Sequence, residues 1–219
     1  MKYKTKFGIS IIFLLLFIIW TVAVNFVDVG TVGPNGASVG FTTINIFLHN
    51  IFGVNMSLYT ITDWLGLIPI GIMLIFATIG LIQWIKRKSL LKVDFDILML
   101  GMFYILLMGV YLFFECIVIN YRPVLIDGFL EASYPSSTTM LVLCVVGVTI
   151  LQINARIKCK TLKRILILLS SSFICFMVIG RLISGVHWFS DIVGGGFISI
   201  SLIEFYCYIT SFKKHRLKN

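Results

Sequence analysis

Residues Gly180 to Gly196 read G-R-L-I-S-G-V-H-W-F-S-D-I-V-G-G-G. Arg181, His187 and Asp191 are polar residues in a chain that is 59% hydrophobic. His187 and Asp191 are four apart, so on a helix they share one face and the carboxylate reaches the imidazole. A carboxylate fixes a histidine's tautomer and favours its protonated form. Ser184 and Gly185 are a turn signal that lets Arg181 fold back toward the histidine. A cation, an oriented histidine and a carboxylate in this order point to chemistry on an anionic group such as phosphate. The plainer reading is a helix end with snorkelling polar side chains.

Outward from this stretch, composition sets the class. Of the 219 residues only 12% are charged, and the mean hydropathy is +1.03. A soluble domain is nearer 25% charged. This composition means several membrane spans, each needing about 20 mostly apolar residues. The net charge of +9 is therefore read by position, and not as a signal for nucleic acid. The five cysteines, Cys116, Cys144, Cys159, Cys175 and Cys207, have no metal-site spacing, and we read them as small buried hydrophobes. The apolar run after Met1–Lys6 lacks a cleavage motif and reads as an uncleaved first span.

The expected spans are 7–26, 64–84, 97–119, 136–153, 165–182 and 188–210. Residues 27–60 form an extracytoplasmic loop in which Ile44, Phe47, Leu48, Ile51 and Phe52 predict a short interfacial helix. His49 reads as a polar-face residue of that helix and stays outside the site. All but two of the 18 Lys and Arg fall in the segments on one side of this layout. By the positive-inside rule that side, with both termini, is cytoplasmic. Arg122 and Arg181 stand alone on the other side.

Three outer stretches then converge. Glu115 to Pro123 reads E-C-I-V-I-N-Y-R-P, and the spacing of Glu115 and Arg122 is two helical turns, about 10 Å along one face. Tyr134 to Met140 reads Y-P-S-S-T-T-M. Pro135 suits a first helical position, which puts Ser136, Ser137 and Thr138 in a first turn whose free N–H groups and hydroxyls make an anion site. The third stretch is Gly180–Gly196. Asp127 and Glu131 read as solvated loop residues, Tyr121 and Tyr134 as interfacial aromatics, and Gly194, Gly195 and Gly196 as close helix packing.

These motifs resemble the type 2 phosphatidic acid phosphatase superfamily, whose site is shared with vanadium haloperoxidases. The family pattern is a lysine six residues before Arg-Pro, then P-S-G-H, then S-R-x5-H-x3-D. Here it reads Glu115-x6-Arg122-Pro123, Pro135-Ser136-Ser137-Thr138 and Gly180-Arg181-x5-His187-x3-Asp191, within a resemblance spanning about residues 60–210. The resemblance implies one six-span all-α membrane domain over 1–219. It implies His187 as the nucleophile that forms a phosphohistidine and Asp191 as its orienting carboxylate. Arg122, Arg181, Ser136, Ser137 and Thr138 would bind the phosphate. It implies no metal and no cofactor. The substrate would be a lipid phosphate or pyrophosphate at the outer membrane face: polyprenyl pyrophosphate, phosphatidylglycerol phosphate or phosphatidic acid.

Three positions depart from the pattern. Glu115 replaces the lysine, Thr138 replaces the histidine that protonates the leaving group, and Gly180 replaces the serine. General acid catalysis is worth about 10² to 10⁴ in rate, so its loss matters. Two readings of Glu115 follow: it is the substitute acid, or it pairs with Arg122 or Arg181 as structural neutralisation. The runner-up function is a non-catalytic relative that binds a lipid phosphate or a membrane partner. Retention of His187 with Asp191 weighs against it. A small transporter fits less well, because its polar residues should line a path at mid-membrane.

Overall fold

The computed structural model describes residues 2–216; Met1 and Lys218, which fall in the first and last basic segments, lie outside them. The helices are α1 (Lys2–Phe26), α2 (Thr42–Phe52), α3 (Met56–Leu65), α4 (Leu67–Arg87), α5 (Phe95–Cys116), α6 (Ser137–Arg156), α7 (Lys160–Ile183) and α8 (Phe189–Arg216). Among the described residues six stretches are long and apolar enough to cross a membrane. The expected all-α, six-span architecture is the observed one.

The second span starts earlier than the sequence reading. It runs over Met56–Arg87, because α3 continues into α4 through Gly66 in helical conformation. The polar residues that read as loop are absorbed locally. Asn55 caps α3 by accepting from Leu58 N, and the hydroxyls of Thr60 and Thr62 donate to the carbonyls of Met56 and Leu58. Pro69 has no N–H for the carbonyl of Leu65, so one helical hydrogen bond is missing beside Gly66 although the backbone there stays helical.

The third span ends earlier. Helix α5 stops at Cys116, and Ile117 is extended. Residues 120–133 form a short paired loop, with Tyr121 opposite Ala132 and a turn at Asp127–Gly128 that uses positive φ. Glu115 and Arg122 therefore do not share a helix face, which corrects the two-turn reading. Pro135 also lies two residues before its expected place, since Ser136 is the N-cap and α6 begins at Ser137.

Helix α8 is the central element. Its packing on α1 is tied by a reciprocal pair: Ser10 Oγ donates to Ser201 O (2.9 Å) and Ser201 Oγ to Ser10 O (3.0 Å). Phe17, Leu100, Leu107, Val145, Ile198 and Tyr206 belong to the buried core between α1, α5, α6 and α8. The outer faces carry exposed apolar side chains such as Ile85, Ile105 and Leu168. In water such a surface would be a liability, but in hydrocarbon it is the solvated face. Gly194 is where Tyr134 presses on α8: a Cβ there would lie 2.6 Å from the ring. Gly195 is also close-packed, with Ser136 O 3.1 Å from its would-be Cβ, whereas Gly196 faces open space, so the packing reading holds for the first two glycines of the run. Only Cys144 and Cys207 are buried; Cys116, Cys159 and Cys175 are exposed, which corrects the uniform reading of the cysteines.

Residues 27–60 are more than a loop. Asn45 of α2 is buried; it donates to Gly40 O (2.8 Å) and Ser190 Oγ (2.9 Å) and accepts from Ser190 N (3.1 Å). Trp20 Nε1 donates to Ser190 O (3.0 Å). The start of α8 is thus clamped from α1 and α2.

Candidate active site

The α7–α8 turn carries the histidine. Gly185 adopts φ +65°, and a Cβ there would sit 1.9 Å from Gly53 O, so the turn needs glycine for both conformation and space. His187 precedes α8 rather than lying on it. Trp188 is in the capping position, and Asp191 in the first turn reaches back so that its Oδ2 accepts Trp188 N at 3.0 Å. This is one half of a capping box. Asn120 Nδ2 donates to the other carboxylate oxygen at 3.3 Å. The His187–Asp191 pair thus arises from a helix cap rather than from a shared helical face. Its Nδ1–Oδ2 distance is 3.7 Å, longer than a hydrogen bond.

On the other side of the ring, Nε2 lies 3.1 Å from Arg122 Nη1. A guanidinium only donates, so Nε2 accepts and the ring proton belongs on Nδ1, toward Asp191. Burial first, then the charges of Arg122 and Arg181, hold the His187 pKa well below its usual value. The imidazole is neutral at pH 7, with its lone pair on Nε2.

Two guanidiniums frame this nitrogen's surroundings. Arg122 Nε lies 3.0 Å from Glu131 Oε2, and its backbone N–H donates to Glu131 O at 3.0 Å. Arg181 is 1% exposed. Its Nη2 donates to Asp63 Oδ1 (2.8 Å) and Thr138 Oγ1 (2.6 Å). The ring of Tyr59 lies under both, 5.9 Å from Arg122 Cζ and 5.0 Å from Arg181 Cζ. Arg181 Nε and Nη1 are buried without a hydrogen-bond partner. Unmet donors of a buried cation are costly, so this geometry is built for an anion.

A cavity of about 1060 Å³ opens on the two arginines; His187 does not line it but sits behind Arg122 Nη1, beside a smaller pocket with Asn45 and His49. Arg122, Arg181, Ser137, Thr138 and Glu115 line it, with Tyr59, Asp63 and Glu131. Apolar side chains, among them Leu67, Ile70, Met73, Leu107 and Leu141, form the rest of its wall. Ser136 sits behind it: the hydroxyl donates to Thr139 Oγ1 (3.0 Å) and the N–H to Asp191 O (3.0 Å), locking α6 to α8. Glu115 makes no ion pair with either arginine; those go to Glu131 and Asp63. The neutralisation read for Glu115 is carried by two other carboxylates. Tyr134 is buried, with its hydroxyl 2.7 Å from Thr21 Oγ1, away from the cavity.

Sequence reasoning missed Tyr59, Asp63, Asn120 and Glu131. Asp63 had a signal: it is an acid within ten residues of α3 that begin a membrane span, and such a charge is expensive there without a role. Asn120 had only its place two residues before Arg122. His49, set aside as an interfacial residue, packs against Trp188 with ring centroids 5.5 Å apart.

This is a helical membrane fold with a buried anion site, and the comparisons name its class. Residues 113–215 match the model described as the PAP2 superfamily. The matched stretch holds Glu115, Arg122, Ser136–Thr138, Arg181, His187 and Asp191. The fold is similar to the crystal structure described as the first transmembrane PAP2 type phosphatidylglycerolphosphate phosphatase from Bacillus subtilis. The TM-score is 0.54 at 18% identity, over 94% of this chain and 96% of that one. No curated protein matches the chain significantly.

Proposed function

We propose that the protein hydrolyses a lipid phosphate or pyrophosphate at the extracytoplasmic membrane face through a phosphohistidine on His187. One observation carries this reading: buried Arg181, with two unpartnered donors, borders the same cavity as Arg122, whose guanidinium meets a neutral His187 at Nε2. Phosphate oxygens would satisfy those donors and draw Arg122 off Nε2, freeing its lone pair for phosphorus. Arg122 and Arg181 offset the charge that spreads over the transferred group. The Asp191 carboxylate, held by Asn120 and 3.7 Å from Nδ1, favours the imidazole proton on that nitrogen by charge. Ser137 and Thr138 complete the cradle at the start of α6. Ser136 acts on it from behind, through its bonds to Thr139 and Asp191.

The apolar wall of the cavity suits lipid chains. Phosphatidic acid, phosphatidylglycerol phosphate and polyprenyl pyrophosphate all present the required headgroup. The PAP2 match and the similarity to a phosphatidylglycerolphosphate phosphatase support this class of substrate. The orientation rests on the charge bias, which leaves Arg122 and Arg181 on the side opposite every other cation. The test is phosphate release by purified protein from these three lipids, with His187→Ala alongside. Release that depends on His187 is expected. Release that persists without it removes the nucleophile, and binding without release moves the chain to the non-catalytic reading.

A further inference from the structure

The phosphate seat has two distinct sides. On one, Arg122 holds His187 (3.1 Å) and Glu131 (3.0 Å). On the other, Arg181 Nη2 holds Asp63 (2.8 Å) and Thr138 (2.6 Å). Tyr59 lies under both guanidiniums and fixes their separation. In-line displacement puts the nucleophile and the leaving oxygen on opposite sides of phosphorus. With attack from the Arg122 side, the leaving oxygen faces the Arg181 side. The protonatable group there is Asp63, because Thr138 is an alcohol whose oxygen already accepts from Arg181. The Asp63 side chain is 58% exposed and lines the cavity, so it can swing off Arg181, which is 1% exposed and fixed in place. Glu131 is committed to the nucleophile's side, and Glu115 contacts neither guanidinium as an ion pair.

Resting on the phosphatase reading above, we infer that Asp63 is the proton donor to the leaving oxygen, exchanged off Arg181 by the incoming phosphate. Phosphate oxygens replace the carboxylate on Nη2 and engage Nε and Nη1. The displaced carboxylate, now beside those oxygens, carries a proton supplied by water. His187 Nε2 attacks, the P–N bond forms and the P–O bond breaks. The leaving oxygen keeps the electron pair of that bond and takes the Asp63 proton. Water then returns a proton to Asp63 while its oxygen attacks the phosphohistidine. The P–N bond breaks, its electron pair returns to Nε2, and inorganic phosphate departs.

The test compares two leaving groups on the full-length protein: the lipid monophosphate it turns over best, whose alkoxide needs a proton, and p-nitrophenyl phosphate, whose phenolate does not. Asp63→Asn is expected to lose about 10² to 10⁴-fold on the lipid but less than about 10-fold on the aryl ester. The retained aryl activity shows that the variant is folded, and Asp63→Glu, which keeps an acid, is expected to recover most of the lipid rate. Equal losses on both substrates, in an Asp63→Asn protein that elutes like the wild type, make Asp63 a support for Arg181 and overturn the proposal. A loss selective for the lipid in Glu115→Gln rather than Asp63→Asn also overturns it. No release from either substrate by the wild type ends the phosphatase reading itself, a result distinct from the other two.

Discussion

The two ends of the bundle use arginine in opposite ways. At the basic end, Arg87 meets Asp94 (2.8 Å), Arg156 meets Asp96 (2.6 Å) and Gln152 (2.7 Å), and Gln83 bonds Asp94 (2.9 Å). These groups are about one-third exposed, and they join α4, α5 and α6. At the opposite end Arg181 is buried, shares one nitrogen between Asp63 and Thr138, and leaves Nε and Nη1 unpaired. The exposed set is matched within the chain and worth little per pair. The buried set is left unmatched at a cost, which is the signature of a site for something outside the chain.

Removing the nucleophile tests that contrast most severely. His187→Ala is expected to lower phosphate release by about 10⁴-fold or more, measured by single-turnover phosphate assay. A matched pair of arginine changes comes next. Arg181→Gln is expected to cost about 10² to 10³ in kcat/KM, whereas Arg156→Gln keeps full release and loses less than about 1 kcal/mol of stability. Similar kinetic losses at both ends would erase the distinction. Asn120→Ala strips a buried hydrogen bond from Asp191 and is expected to cost about 1–3 kcal/mol in thermal unfolding, with a fall in kcat larger than any change in KM.

The smallest effect is a separation of the ends by pH. His187 has a folded-state pKa below its usual value of 6.5, so on acidification the unfolded chain takes up this proton first. Stability contributed there is full above pH 6.5 and is lost as pH falls toward the folded value. Asp94 is held below its usual 3.8, chiefly by the hydrogen bond from Arg87. Its contribution is full above 3.8 and is lost only below it. Melting temperature is therefore expected to decline first between pH 6.5 and 5, and His187→Gln is expected to remove that decline. The shallower loss below pH 4 is expected to vanish in Asp94→Asn. The acid limb of phosphate release that reports His187 is expected below pH 6.5.

Span number was legible because hydrophobic run length and the spacing of basic clusters are properties of contiguous sequence. Arg122, Arg181, His187 and Asp191 were legible because their motifs are local. Asp63 was not, because its partner Arg181 is 118 positions away and only the packing of α3 on α7 joins them. The two-turn reading of Glu115 and Arg122 failed for a related reason. Periodicity assumes a continuous helix, and α5 ends at Cys116 although its apolar run continues through Ile119. The capping role of Asp191 was hidden too, because four-residue spacing looks the same whether the histidine lies on the helix or just before it.

The clamp on α8 has a consequence for how this architecture divides. The matched segment 113–215 contains His187 and both arginines, yet Gly185 rests against Gly53 O, Ser190 is gripped by Asn45, and Asn120 accepts from Gly40 N at 3.4 Å. Chemistry and scaffold are thus interleaved along the chain. The matched segment is not a module that can be cut out or transplanted, and changes in residues 40–55 should be felt at His187 as directly as changes beside it.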